Sequence, residues 1–134
     1  MELSEKPTHI KQAVILIAIS LFVGLLKVAH DYEFLLSIGP IQGTVLTMAF
    51  TISIMLFLAY KIWLGRNWAR ITLTLLFIMG LYPVILLMPA EAERSILVLV
   101  GSVLQTALQL AAIVLIFLPA SNNWFKSVKA VKNA

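Results

Sequence analysis

The side chains best equipped for chemistry fall in two short stretches. Lys27, His30, Asp31 and Glu33 form the first, and Glu91, Glu93 and Arg94 the second. Carboxylates and an imidazole together are ligands for a divalent cation, and a pair of carboxylates can divide acid–base work. Neither stretch has the spacing of a known site. The plainer reading of His30, Asp31, Glu33, Glu91 and Glu93 is a solvated acidic rim. Within it Lys27 pairs with Asp31 at i,i+4 and Glu91 with Arg94 at i,i+3, while the Lys27 stem snorkels outward.

A second group is polar without being charged. Ser102, Gln105, Thr106 and Gln109 share one face at helical spacing inside a long apolar run. Thr44, Thr47 and Thr51 make a milder stripe in an earlier run. A primary amide facing lipid is costly, so these groups must point at other helices. As interhelical glue each contact is worth about 0.5–2 kcal/mol. The competing readings are a polar path or small-ligand cleft between the two runs, and a seam between copies of the chain.

Much chemistry is missing. There is no cysteine, which removes disulfides, zinc–thiolate sites and thiol redox work. Two histidines, His9 and His30, do not make a haem or multi-histidine zinc site. No phosphate loop, nucleophile elbow, HExxH or channel filter stands anywhere, and no carboxylate falls inside an apolar run. The expectation is a protein with no catalytic residue, no cofactor and no resident metal.

The elements that position these residues follow from composition. Of 134 residues, 61% are hydrophobic and 12% charged, with mean hydropathy +1.01. A globular domain averages roughly 45–50% apolar and about 25% charged, so a water-soluble or disordered chain is excluded. Four apolar runs, 13–29, 41–64, 69–88 and 96–118, are each long enough to cross the roughly 30 Å hydrocarbon layer as a helix. They leave no room for a soluble domain, so residues 1–134 read as one integral membrane domain. The first run is too long for a cleaved signal h-region. Ser37-Ile38-Gly39-Pro40 and Gly65-Arg66-Asn67 break the chain. Pro89 fits the first turn of the fourth helix, where Glu91 and Glu93 suit the positive end of its dipole. Pro119 ends that helix.

The spans number the sides. Lys6, Lys11, Lys61, Arg66, Arg70, Lys126, Lys129 and Lys132 share one side, against Lys27 and Arg94 on the other. The positive-inside rule makes the richer side cytoplasmic and holds both termini there. Asp31, Glu33, Glu91 and Glu93 lie outside, and Glu2 and Glu5 inside. The fold expected is a four-helix transmembrane bundle of two helical hairpins. Trp63, Arg66, Trp68, Arg70, Trp124 and Lys126 are its interfacial anchors. The basic tail 119–134 is a cytoplasmic helix lying on anionic lipid. Gly80 packs as a small residue, and Pro83 removes a backbone donor and kinks the third span. A shift of 56 residues sets Gly24 on Gly80 and Asn67-Trp68-Ala69-Arg70 on Asn123-Trp124-Phe125-Lys126. This reads either as a parallel repeat or as the same anchor used twice.

Gly65-Arg66-Asn67-Trp68-Ala69-Arg70 resembles a Gly-(Arg/Lys)-Asn-Trp-Ala-Arg segment of small four-span bacterial inner-membrane proteins. The resemblance implies a bacterial inner membrane and carries nothing about activity. Three functions are open. The first is a non-enzymatic accessory, assembly or immunity-type protein, acting through helix contacts with itself or another membrane protein. The second is a small oligomeric transporter or channel lined by the second and fourth spans. The third is a lipid-active enzyme using the outer carboxylates. Membrane lipids are partners in each, and nucleic acid in none, because the cations sit at helix ends rather than on one patch.

Overall fold

The computed structural model describes residues 5–133. Glu2 and Ala134, assigned above to the cytoplasmic termini, lie outside the described residues. Six helices and no strand occur among those described: α1 Thr8–His30, α2 Tyr32–Ile38, α3 Ile41–Trp63, α4 Asn67–Arg94, α5 Ile96–Ile116 and α6 Pro119–Asn133. Four of them, α1, α3, α4 and α5, are long and apolar enough to cross a membrane.

Each boundary has a local cause. Pro7 precedes α1 in extended geometry, and its carbonyl accepts from Ile10 N. Pro40 disfavours helix at Gly39 and then starts α3, with its carbonyl accepting from Gly43 N. Gly65 ends α3 at φ 79, where a Cβ is disfavoured. Gly65 N bonds Ile62 O and Arg66 N bonds Lys61 O, the paired pattern of a Schellman cap. Pro119 opens α6 rather than merely closing α5, because a proline at the first helical position loses no bond.

The α4–α5 corner departs from expectation. Pro89 does not start the fourth span; α4 runs through Pro83 and Pro89 to Arg94. Ser95, extended at φ −160 and ψ 118, starts α5 instead, and its hydroxyl accepts from Val98 N. Glu91 and Glu93 therefore occupy the last turns of α4. The helix extends beyond the apolar run 69–88 to Arg94, and at about 1.5 Å per residue its 28 residues exceed the roughly 30 Å hydrocarbon layer, while the apolar run itself holds no carboxylate. A serine hydroxyl caps orphan amides, which Pro89 cannot do.

The four long helices form a closed ring of neighbours. α1 packs on α5 and on α3, and α4 packs on α5 and on α3, with α1–α5 the most extensive seam. The packed core lies toward one end. It comprises Ile10, Ala13, Ile17 and Leu21 of α1, Leu58, Ala59 and Ile62 of α3, Ala69 and Leu73 of α4, and Ala112 and Ile116 of α5. Trp124 and Phe125 of α6 join this core, and Val128 of α6 sits where a Cβ on Gly65 would be. α6 thus caps the bundle from below. The tail helix is longer than its basic stripe, and exposes Lys126, Lys129 and Lys132 while burying Ser121, Trp124 and Phe125.

Candidate functional site

Above the packed end the ring is hollow. A chamber of about 440 Å³ is walled by all four long helices. Its floor is Ile17, Leu73 and Ile113, and its apolar walls include Phe50, Ile54, Met55, Leu76, Phe77 and Leu81. One wall is polar: Ser102, Gln105, Thr106 and Gln109 of α5, with Thr51 of α3. A vestibule of about 290 Å³ shares Leu21, Lys27, Thr51 and Gln105 with the chamber and reaches Asp31 and Glu91 at the bundle end.

The helical register of α5 thus brings its four polar residues together and turns them inward. Of the threonine stripe only Thr51 reaches the chamber. Thr44 is half-buried and Thr47 exposed, and neither lines either cavity. The cleft lies at the centre of the ring rather than between the second and fourth spans alone, because α1 and α4 supply much of its wall.

Where α1, α4 and α5 meet, three side chains form a chain of hydrogen bonds. Lys27 Nζ donates to Ser102 Oγ at 2.5 Å, and Ser102 Oγ donates to Glu91 Oε2 at 2.7 Å. Lys27 Nζ also lies 4.0 Å from Glu91 Oε1. Lys27 does not snorkel outward, and it pairs across helices rather than with Asp31. Asp31 instead takes Arg94, whose guanidinium also stacks on Phe34 at 3.9 Å. Both i,i+3 and i,i+4 pairings predicted above are replaced by pairings between elements, because the corner at Ser95 brings the end of α4 over the end of α1. His30 Nε2 stands 3.4 Å from Ser95 Oγ, and Glu33 and Glu93 are exposed. Among the described residues no three His, Asp or Glu side chains gather as a metal site would require, so the five acidic-rim residues do not form one cluster.

Two glycines make this geometry possible, Gly101 and Gly24, the latter noted from sequence only as matching Gly80 under the 56-residue shift. A Cβ on Gly101 would lie 2.8 Å from Lys27 Cγ, and one on Gly24 would lie 2.8 Å from Gln105 Nε2. The Lys27 stem and the Gln105 amide lie flat in these gaps. The available signal was the small-residue approach that lets membrane helices close, since Gly24 precedes Lys27 by three residues and Gly101 adjoins Ser102. Gly80 behaves differently. A Cβ there meets nothing within 4 Å, so Gly80 does not pack against a neighbour as expected; it opens the chamber wall. Pro83 is exposed.

The hydroxyls and amides differ in what they leave unused. Thr51 Oγ1 donates to Thr47 O and Thr106 Oγ1 to Ser102 O, so each keeps acceptor lone pairs. Gln105 and Gln109 make no hydrogen bond to another described residue; Gln105 meets α1 by packing its amide against Gly24.

The packed end holds the aromatic and basic residues. Trp63, Trp68 and Lys126 are exposed and Arg66 is half-buried. Trp124 is only 4% exposed and sits in the core rather than at the lipid interface. Arg70 also turns inward: Nη1 donates to Ile116 O and Asn122 Oδ1, Nε to Asn67 Oδ1, and the guanidinium stacks on Phe117 and Phe125. Trp68 and Trp124, equivalent under the 56-residue shift, thus occupy opposite environments, as do Arg70 and Lys126. Lys6 lies 3.6 Å over the Trp63 ring; burial, and then the nearby Lys11, lowers its pKa from the ordinary lysine value.

No family model matches the chain, and comparison with curated proteins and with solved structures finds none similar to it.

Proposed function

We propose that the chain is a multi-pass bacterial inner-membrane protein, with both termini cytoplasmic, that takes a small molecule from the outer side into the chamber. It belongs on this reading with solute-binding and transport proteins rather than enzymes. The observation that carries it is the chamber itself. Its volume falls within the roughly 300–1,000 Å³ of small-molecule sites, and it has their pattern of mostly apolar walls with a few convergent polar groups. The unequal placement of Lys and Arg supports the orientation, which sets the packed end in the cytoplasm and the vestibule outside.

The absence of cysteine allows a clean test by single-cysteine labelling. Thr51→Cys and Gln105→Cys should react with an impermeant thiol reagent added from outside, and Ile62→Cys from neither side. Native mass spectrometry of protein taken directly from its membrane should find a small-molecule adduct. Gly80→Trp, which puts a ring into the chamber, should abolish it. Absence of both the labelling and the adduct would sink the proposal.

A second reading, lateral association with another membrane protein or a second copy, is favoured by α4. This helix buries only Ala69 and Leu73 and leaves Leu75, Ile78, Met79, Tyr82, Ile85 and Leu86 exposed. Photocrosslinking from Met79 in native membranes separates the two: a discrete protein product supports association, and lipid products alone count against it.

A further inference from the structure

Resting on the chamber reading above, we infer that the occupant is an uncharged amphiphile whose head offers a hydrogen-bond donor and an acceptor side by side, as a carboxamide does, to Gln105 and Gln109. The charges around the chamber exclude the ionic classes. Lys27 is the one cation lining the chamber among the described residues, and it is committed to Ser102 and Glu91. No described carboxylate lines the chamber; Glu91 and Asp31 line only the vestibule. An anion would have to draw Lys27 away from Glu91 and leave that carboxylate without its counter-charge. A cation would enter past Lys27 and find no opposite charge inside. Both are penalised heavily in a low-dielectric site.

The neutral groups specify the head. Gln105 and Gln109 are four residues apart and so lie one above the other on α5. Each offers an N–H₂ donor and a carbonyl acceptor, and neither is engaged within the described chain. Thr51 and Thr106 add hydroxyl oxygens with spare acceptor capacity, since their protons already go to helix carbonyls. A head that only accepts, such as an ester or ketone, leaves the threonine oxygens and amide carbonyls unmatched; a head that both donates and accepts satisfies them. The rest of the wall specifies the body. Phe50, Ile54, Met55, Leu76, Phe77 and Leu81 offer only apolar surface. At the roughly 30 Å³ that one water occupies in the liquid, the chamber's 440 Å³ holds a short alkyl chain with its head and little more.

The test compares three probes with the same alkyl body: decanamide, decanoate and decylammonium. Radiolabelled probe is dialysed to equilibrium against proteoliposomes and against protein-free liposomes of the same lipid. Decanamide should bind saturably above the lipid background, and decanoate and decylammonium should only partition. Gln105→Leu with Gln109→Leu should weaken decanamide binding about tenfold or more, with helicity and monodisperse elution unchanged. If that variant fails to fold, Gln109→Asn serves: it keeps an amide but withdraws it by one methylene, and should weaken binding measurably. Saturable binding of decanoate or decylammonium in preference to decanamide overturns the inference, as does decanamide binding indifferent to both glutamine variants. Saturable binding of none of the three also overturns it. The Gly80→Trp-sensitive adduct in native membranes then tells separately whether the chamber reading survives.

Discussion

The two ends of this bundle differ in what holds their cations. At the end closed by α6, cations lie over aromatic rings: Lys6 on Trp63, Lys61 on Phe57, Arg70 on Phe117 and Phe125. No ion pair joins them to a carboxylate among the described residues. At the other end the cations of the described residues meet carboxylates from other elements, Lys27 with Glu91 and Arg94 with Asp31, and Arg94 stacks on Phe34 besides. The packing differs in step. Cations without a carboxylate partner sit around a filled core, whereas ion-paired cations sit around a cavity. A guanidinium between two rings is already partly compensated and lets apolar neighbours close around it. A Lys–Ser–Glu chain needs directed hydrogen bonds and holds its helices at a fixed spacing, which keeps space open beneath. The result is a cup with a sealed base and a polar rim.

Substitutions at the two ends should therefore fail differently. The largest loss is expected for Phe125→Ala, which empties a fully buried ring from the base; large-to-small changes of this kind cost about 3–5 kcal/mol. Thermal unfolding in detergent should show it, and Gln109→Cys should then label from the side closed by α6 as well. Labelling that stays one-sided would break the contrast between sealed and open ends. Next comes Arg70→Lys. Lysine cannot reproduce the bonds to Asn67, Ile116 and Asn122 or the flat stacking, and the loss should be about 1–3 kcal/mol.

At the rim, Glu91→Gln should cost about 1–2 kcal/mol, because Lys27 loses its counter-charge while Ser102 keeps an acceptor. Adding Lys27→Met should recover most of this, since removing both partners is cheaper than removing one. A double variant as unstable as the single one would show that the pair does not hold the rim. The smallest effect separates two glycines. Gly80→Ala, with open space around it, should stabilise by about 0.5–1 kcal/mol. Gly101→Ala should go the other way, since its Cβ meets the Lys27 stem. Equal effects at both positions would mean that the rim is no tighter than the chamber wall.

The span-length helices were legible because each is a run of one chemistry and needs no knowledge of its neighbours. The polar face of α5 was legible for the same reason: four residues on one helix share a face by register alone. What stayed hidden depends on contacts between elements. Whether Lys27 points to water or to Ser102 is decided 75 residues later in the chain. Reading Pro89 as a helix start moved Glu91 and Glu93 out of α4, so the carboxylate that completes the Lys27 chain looked like a surface residue. Trp124 carries the same Asn-Trp prefix as Trp68 and differs in fate because α6 folds back beneath the bundle. The role of Gly24 and Gly101 shows only when the side chain lying opposite is known.

The seam between α1 and α5 also sets a constraint on biosynthesis. Synthesis runs from the N-terminus, so Lys27 of α1 is made before its partners exist. At roughly 5–20 residues per second, the 75 residues separating Lys27 from Ser102 take about 4–15 s to make. For that interval the ammonium must remain at the headgroup level or be sheltered by the insertion machinery. The α1–α5 seam can close only once α5 has been made, so a chain truncated before α5 has Glu91 but lacks the Ser102 hydroxyl that links it to Lys27.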